Sequence, residues 1–288
     1  MTTMKYTSLV VAIALVFSFS GCDSGDDPAP DGPNLVFKFQ FDPNQERVNS
    51  FGQPSTLPSG HAAQSPSFNS MSGHYVELIP SAFTALGAGE IVYQGAETNA
   101  GGDMAINFSE ASVVAENEVF HSIPLSEVGA GTYQYVRVSV SYQNFDITYN
   151  ALGFNGLTGS LASFIGYNTY ISTSQVNQQS ITVNDDKLQG FWAFESQGTM
   201  TTGQAPAGAT TVPNPIFDSS PVPQGSCLVT GTFAAPLVIN GDETEDVVVV
   251  LSVSTNQSFE WTDPDGNGQY DPLDGDVPVD MGLRGIQA

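Results

Sequence analysis

The sequence has few cysteines, few basic residues and few histidines, and each shortage argues against a class of protein. Its 288 residues include 2 Cys, 3 His and only 6 Lys and Arg, against 30 Asp and Glu. Two cysteines cannot form the disulfide framework that staples small secreted domains, so the fold must rest on its hydrophobic core and on any metal it binds. The formal net charge of −24 repels phosphate backbones and argues against nucleic-acid partners.

Catalytic motifs are also scarce. His61, His74 and His121 lie far apart and show none of the spacings of zinc sites. There is no Gly-x-Ser-x-Gly elbow, no P-loop and no dinucleotide fingerprint, so no enzymatic activity is expected. A carboxylate pair for glycoside hydrolysis stays open as an alternative, because the fold sets the separation of the two groups, and Glu195 beside the aromatic residues 191–194 is the candidate for it.

The start of the chain has the features of an export signal. Lys5 precedes an apolar run over residues 8–19 that is too short for a membrane span and ends at small residues, which predicts a signal peptide over residues 1–21. The following Cys22, directly after Ser-Gly, resembles the bacterial lipobox. This resemblance implies cleavage before Cys22, acylation of its thiol and attachment to the membrane through the lipid anchor. The alternative is an ordinary secretory signal followed by a chance cysteine.

Residues 22–33 are rich in Asp, Gly and Pro and contain no aromatic or β-branched residue, which predicts a solvated tether. Acidic residues directly after a lipidated cysteine resemble the export signal of surface lipoproteins in the Bacteroidetes. The resemblance implies an outer membrane lipoprotein exposed at the cell surface, whereas the simpler alternative is an acidic linker. With Cys22 acylated, Cys227 has no partner, and its apolar neighbours predict an inert core residue.

Residues 34–288 have the pattern of many short strands. Alternation is clearest at Val136, Val138 and Val140, and a change of phase near residues 143–144 predicts a turn or a bulge. Turn residues are frequent and no long amphipathic helix is present. We therefore expect a single all-β domain, an antiparallel β-sandwich of immunoglobulin-like or jelly-roll-like type with long loops.

Residues 263–274 form an oxygen-rich motif. Calcium prefers six to eight oxygen ligands, and alternate residues of a tight loop can supply them. The predicted ligands, at positions 1, 3, 5, 7, 9 and 12 of the loop, are Asp263, Asp265, Asn267, the Gln269 carbonyl, Asp271 and Asp274, with Gly268 at the sharp turn. The spacing resembles an EF-hand loop except at its last position, and an Asp there resembles dockerin and thrombospondin type 3 loops. An acidic turn that binds nothing is the alternative.

Two prolines make this loop a connection between strands rather than part of a helix-loop-helix pair. Pro272 and Pro278 disfavour a following helix. We therefore expect the bound calcium to be a structural clamp that fixes the C-terminal strand.

Aromatic residues suggest where a ligand could bind. Tyr133, Tyr135 and Trp192 form a candidate ligand face, since Tyr and Trp on a sheet can stack on sugar rings or anchor a protein partner. Cross-strand packing in a sandwich is the alternative explanation.

Two segments resemble known proteins. Residues 188–194 (Leu-Gln-Gly-Phe-Trp-Ala-Phe) and 279–285 (Val-Asp-Met-Gly-Leu-Arg-Gly) are similar to surface lipoproteins of the Bacteroidetes. The first segment and the strand order also resemble MbnP-like copper-associated proteins, which implies a copper site formed by Trp192 or Trp261 with a His. The sequence thus favours a calcium-stabilised protein with a role in binding or surface assembly, and glycans are one class of ligand that it could bind. Copper handling and glycoside hydrolysis are the alternatives.

Overall fold

The computed structural model describes residues 32–49, 53–205, 221–223 and 225–288. The predicted signal peptide, Cys22 and residues 23–31 of the predicted tether lie outside the described residues. The strands are β1 (Asn34–Asp42), β2 (His61–Gln64), β3 (Ser67–Ile79), β4 (Glu90–Gln94), β5 (Glu97–Thr98), β6 (Ala105–Asn107), β7 (Val119–Pro124), β8 (Gly131–Ala151), β9 (Phe154–Phe164), β10 (Asn168–Gln175), β11 (Ser180–Leu188), β12 (Phe191–Ser196), β13 (Thr199–Gln204), β14 (Cys227–Ile239), β15 (Val247–Ser254), β16 (Phe259–Thr262), β17 (Val277–Met281) and β18 (Ile286–Gln287).

Helical structure among the described residues is limited to two short 3₁₀ turns, Phe108–Glu110 and Leu125–Glu127. Within this part of the chain, no helix has the length and apolar character needed to cross a membrane. The predominance of strands follows from the period-two alternation of apolar residues, which buries one face of each strand.

The 21-residue strand β8 organises the largest sheet. Along one edge it pairs first with β14 and then with β9, while β3 runs along the opposite edge. The sheet has eleven strands in the order β13-β12-β9-β8-β14-β18-β15-β1-β7, with β3 beside β8 and β4 beside β3. Two smaller sheets have the orders β11-β10-β6-β5 and β17-β16-β2.

A bulge in β8 lies at Ser141. Val140 pairs with Gly73 and Tyr142 pairs with Ser72, so Ser141 has no opposite residue in β3. The change of phase in the sequence predicts the bulge about two residues further on. The bulge lies at the point where β8 changes partner from β14 to β9. The extra residue turns the side chains that follow it to the other face of the sheet.

Three hydrophobic clusters hold the layers together. The largest draws on β1, β3, β7, β8, β14 and β15, so the large sheet curls until its two parts pack face to face. The second cluster lies between β8, β9 and β12 and the sheet of β10 and β11. The third lies on the other face of the same strands, against the sheet of β16. The predicted all-β sandwich is confirmed, although β1 and β15 pair in parallel rather than antiparallel.

A buried group of charges centred on Glu260 joins the C-terminal segment to the rest of the domain. Arg47 Nη2 pairs with Glu260 Oε2, to which Arg284 Nη2 also donates at 3.0 Å. His61 Nδ1 donates to Glu260 Oε1 at 2.6 Å, and Arg284 Nη1 lies 2.6 Å from Asp280 Oδ2. Burial alone would raise the pKa of Glu260. The hydrogen bonds from His61 and Arg47 and the arginine charges outweigh burial, so this pKa is lower than its ordinary value.

Replacing Glu260 should expose its energetic role. Glu260→Gln leaves Arg47 and Arg284 without their shared carboxylate, so we expect the free energy of unfolding to fall by about 3–5 kcal/mol near neutral pH. Because the pKa of Glu260 is lower in the folded than in the unfolded chain, its contribution is complete above roughly pH 5 and is lost as the pH falls through the lowered pKa. Urea denaturation should therefore show that the difference in the free energy of unfolding between wild type and variant becomes smaller as the pH is lowered.

The matched control is Glu127→Gln, the same chemical change at an exposed position. It should leave the free energy of unfolding within about 0.5 kcal/mol of wild type. If the difference in the free energy of unfolding between wild type and Glu260→Gln does not change with pH, the lowered pKa of Glu260 is contradicted.

Candidate functional site

The register of β16 and β17 brings the two ends of the acidic loop together. Thr262 pairs with Val277 in this antiparallel hairpin, so the next residues on either side, Asp263 and Asp276, face each other at the base of the loop. The Asp263 N–H also donates to the Gly60 carbonyl at 2.8 Å, which fixes the start of the loop to the segment before β2.

Three carboxylates converge at this point. Each of Asp263, Asp265 and Asp276 offers an oxygen within 4.8 Å of the others. The Gly268 N–H donates to Asp263 Oδ2 at 3.0 Å, and the Asp271 N–H donates to Asp276 Oδ2 at 2.7 Å. Backbone amides therefore hold two of the carboxylates in place and leave their remaining oxygens available.

The cluster fits an oxygen-ligated cation. Asp263 is 8% exposed, and its Oδ1 atom is buried without a hydrogen-bond partner in the described part of the chain. An unpaired buried carboxylate oxygen is costly unless a counter-charge satisfies it. Burial, followed by the charges of Asp263, Asp271 and Asp265, raises the pKa of Asp276. Oxygen ligands without nitrogen or sulfur favour a hard cation such as calcium or magnesium.

The other predicted ligands shape the loop. Asn267 Nδ2 donates to Asp265 Oδ2 at 2.9 Å and to Asp271 Oδ2 at 2.8 Å. The Gln269 N–H donates to Asn267 Oδ1 at 2.6 Å. Gly268 has a φ of +73°, the left-handed conformation that lets the chain reverse here.

Asp274, the ligand that the motif spacing predicts at position 12, does not belong to this carboxylate cluster. Asp274 is exposed, and its N–H closes a turn to the Asp271 carbonyl at 2.9 Å. The third carboxylate of the cluster is instead Asp276, which motif spacing did not identify. The available signal was the strand pairing, because the residue just before β17 must lie opposite the residue just after β16.

The loop is also attached to the hairpin of β8 and β9. The Asn150 N–H donates to the Tyr270 carbonyl at 2.8 Å, and Asn150 Nδ2 donates to Gln269 Oε1 at 2.7 Å. The Tyr270 ring packs at 5.0 Å from Phe259 and 5.4 Å from Trp261. The conformation of the acidic loop is thereby coupled to the large sheet.

The three aromatic residues expected to form a ligand face do not form one surface, because Trp192 lies on a different strand from Tyr133 and Tyr135. Tyr133 is buried in the largest cluster and donates its hydroxyl to the Gly129 carbonyl at 2.7 Å. Tyr135 is half-buried near the same end of β8. Trp192 lies on β12, where it packs against the third cluster and faces a groove beside the acidic loop. Of the three, Trp192 is the one that lines the groove to which Tyr270 and Leu273 of the acidic loop also contribute.

The histidines occupy three separate environments. His61 contacts Glu260, His74 Nε2 lies 3.2 Å from Glu97 Oε1, and His121 Nε2 lies 2.9 Å from the Val92 carbonyl. Burial lowers the pKa of both His74 and His121. The metal-capable group found among the described residues contains no histidine.

Glu195 has a structural role. Its Oε1 and Oε2 atoms accept hydrogen bonds from the backbone N–H groups of Asn177, Gln178 and Gln179 at 3.0–3.1 Å. Glu195 is buried, and it fixes the turn between β10 and β11. A carboxylate occupied in this way is poorly suited to act as a general acid.

The acidic loop is the functional feature that the described residues support most directly. The chain matches no protein-family model, no curated protein and no solved structure at a significant level. Its function therefore has to be inferred from its own residues, above all from the three carboxylates at the base of the loop.

Proposed function

We propose that this protein is a lipid-anchored outer membrane protein, exposed at the cell surface, with a calcium-stabilised β domain that has a non-catalytic binding role. The unpaired Asp263 Oδ1 atom in a cluster of three carboxylates carries the calcium part of this proposal. The lipobox-like sequence at Cys22 carries the anchor.

Calcium suits the loop better than magnesium does. Magnesium requires near-ideal octahedral geometry, whereas calcium accepts more ligands at flexible spacing. Asp263, Asp265 and Asp276 would supply carboxylate oxygens, and the neighbouring backbone carbonyls and water could complete the shell. Extracellular calcium sites bind at about 10⁻⁴–10⁻³ M, a range compatible with a protein displayed outside the cell.

The bound ion would act as a clamp. It would neutralise carboxylates that repel one another and tie the end of β16 to the start of β17. At ten times its dissociation constant, one such ion adds roughly 1.4 kcal/mol to the free energy of unfolding. The contacts of Asn150 with Gln269 and Tyr270 would extend this effect to the hairpin of β8 and β9.

The structural role of Glu195 supports a binding function over a catalytic one. Glu195, the carboxylate considered for glycoside hydrolysis, is engaged with three backbone amides. The domain also has a groove beside the acidic loop, next to Trp192. A rigid sheet that carries such a groove is a suitable scaffold for recognition.

The anchor can be tested by mass spectrometry of protein extracted from membranes. We expect the mature chain to begin at Cys22 and to carry acyl chains on that residue. Cys22→Ser should abolish acylation and release the protein from the membrane fraction, whereas Cys227→Ser should leave both unchanged. An unmodified Cys22 in the mature protein would contradict the anchor.

Calcium binding can be tested by thermal unfolding of the full-length protein in detergent. Calcium at ten times its dissociation constant should raise the Tm by about 3–5 °C over the same protein in EDTA. Asp263→Asn and Asp276→Asn should remove this difference.

Asp274→Asn is the matched control, because it makes the same chemical change in the same loop at a side chain outside the cluster. It should retain most of the calcium effect. Equal melting of the wild type with and without calcium would overturn the metal site, and loss of the effect in Asp274→Asn alone would restore Asp274 as the ligand.

Coupling between the loop and the hairpin can be tested by hydrogen exchange. Removing calcium should speed exchange of the Asn150 amide, because its acceptor is the Tyr270 carbonyl within the loop. The Ile171 amide, in the sheet on the opposite face, is the internal control and should be unaffected. Equal protection of Asn150 in EDTA and in calcium would contradict the coupling.

A further inference from the structure

A large groove lies on the face of β8, β9 and β12 that also contacts the acidic loop. Its volume is about 1940 Å³, above the roughly 300–1,000 Å³ typical of a small-molecule pocket, and this favours a ligand of several units. Tyr270, Leu273 and Val277 contribute one wall.

A single cross-strand row crosses the floor of the groove. Gln143 pairs with Ser163, Ser163 with Trp192, and Trp192 with Gly203. Directly paired residues of antiparallel strands point to the same face, so these four positions share the groove side of the sheet. The row places an amide, a hydroxyl and an indole next to one another.

Two glycines hold aromatic rings close to the sheet. A Cβ atom on Gly203 would lie 2.3 Å from Trp192 Cζ2, and one on Gly159 would lie 2.3 Å from Phe194 Cζ. Each ring therefore covers a glycine, and a larger residue there would displace it. Trp192 and Phe194 are half-buried and both line the groove. Such aromatic surfaces suit the C–H faces of sugar rings.

Polar groups in the groove lack partners. Gln143 is 0% exposed, and neither atom of its amide has a hydrogen-bond partner among the described residues. The Nε atoms of Arg47 and Arg284, which also line the groove, are buried and unpartnered in the same way. A buried amide with both a free donor and a free acceptor matches a hydroxyl group, which can accept and donate at once.

Among the described residues, the groove wall offers no unpaired positive charge. Arg47 and Arg284 are paired with Glu260 and Asp280, and Glu46 adds a further carboxylate. The chain as a whole has a formal net charge of −24 and would repel an anion. The groove therefore favours a neutral ligand that is rich in hydroxyl groups.

We propose that this groove binds a neutral oligosaccharide, with one sugar ring stacked on Trp192 and its hydroxyls bonded to the Gln143 amide. The inference deepens the binding role proposed above and rests on it. Because Tyr270 and Leu273 of the acidic loop form part of the wall, calcium would support the shape of the site.

The test is calorimetric titration of the full-length protein in detergent with calcium present. Maltohexaose, cellohexaose, xylohexaose and mannohexaose serve as neutral probes, and hexagalacturonate serves as an anionic probe of equal length. We expect saturable binding of at least one neutral probe and none of hexagalacturonate. Silence across the neutral probes, or preference for the anionic one, would overturn the proposal.

Variants connect binding to the groove. Trp192→Ala should weaken binding about tenfold or more, and Phe154→Ala, at an exposed aromatic residue outside the groove, should not change it. Gln143→Met keeps the volume and removes the unpartnered amide, so affinity should fall while the Tm of the free protein does not. Unchanged affinity in both Trp192→Ala and Gln143→Met would place the ligand elsewhere and reject the inference.

The outcome is separable from that of the calcium clamp. A calcium-dependent Tm without neutral-sugar binding would reject the groove and keep the clamp. If sugar binding is lost in Trp192→Ala and the Tm is the same in calcium and in EDTA, the groove is kept and the calcium clamp is rejected.

Discussion

Glu260 is the ionic centre on which the arrangement of the C-terminal half depends. Its carboxylate accepts from Arg47, His61 and Arg284, which come from three separate segments of the chain. A chain with 6 Lys and Arg has few cations to use, and it places two of them here. Burying charge is costly unless each group is paired, so this network defines where the strand β16 and the segment after β17 must lie.

The same hairpin that carries Glu260 also carries the acidic loop. Asp263 and Asp276 are adjacent because Thr262 and Val277 pair, so the sheet geometry creates the carboxylate cluster. The loop then contacts Asn150 on the long strand β8. The carboxylates of the loop repel one another, whereas the buried ion pairs around Glu260 attract. A divalent cation bound in the loop would remove the repulsion and leave the ion pairs intact.

The groove combines features of both regions. Its two arginines are both paired with carboxylates, and its floor presents the Trp192 ring, which covers Gly203. The Gln143 amide is one of the polar groups in the groove that internal contacts leave without a hydrogen-bond partner. The acidic loop, the ion pairs and the aromatic floor thus meet on one face of the sheet, and for this reason we propose that face as the recognition site.

Much of the fold class was accessible from the sequence, because period-two alternation such as Val136, Val138 and Val140 depends only on neighbouring residues. The oxygen-rich loop was accessible for the same reason. The parallel pairing of β1 with β15 was not, since it joins segments far apart in the chain. Nor was the structural use of Glu195, whose three amide partners lie on a turn that the folding of β10 and β11 creates.

The sequence by itself determined the acidic, disulfide-poor character of the chain, its all-β fold and the position of the acidic loop. Only the tertiary structure decided that Asp276 rather than Asp274 joins Asp263, that Tyr133 is a core residue, and that Trp192 and Gln143 lie in one cross-strand row. Motifs are read along the chain, where spacing is fixed by covalent geometry. Sites form across strands, where register is set by packing over the whole sheet.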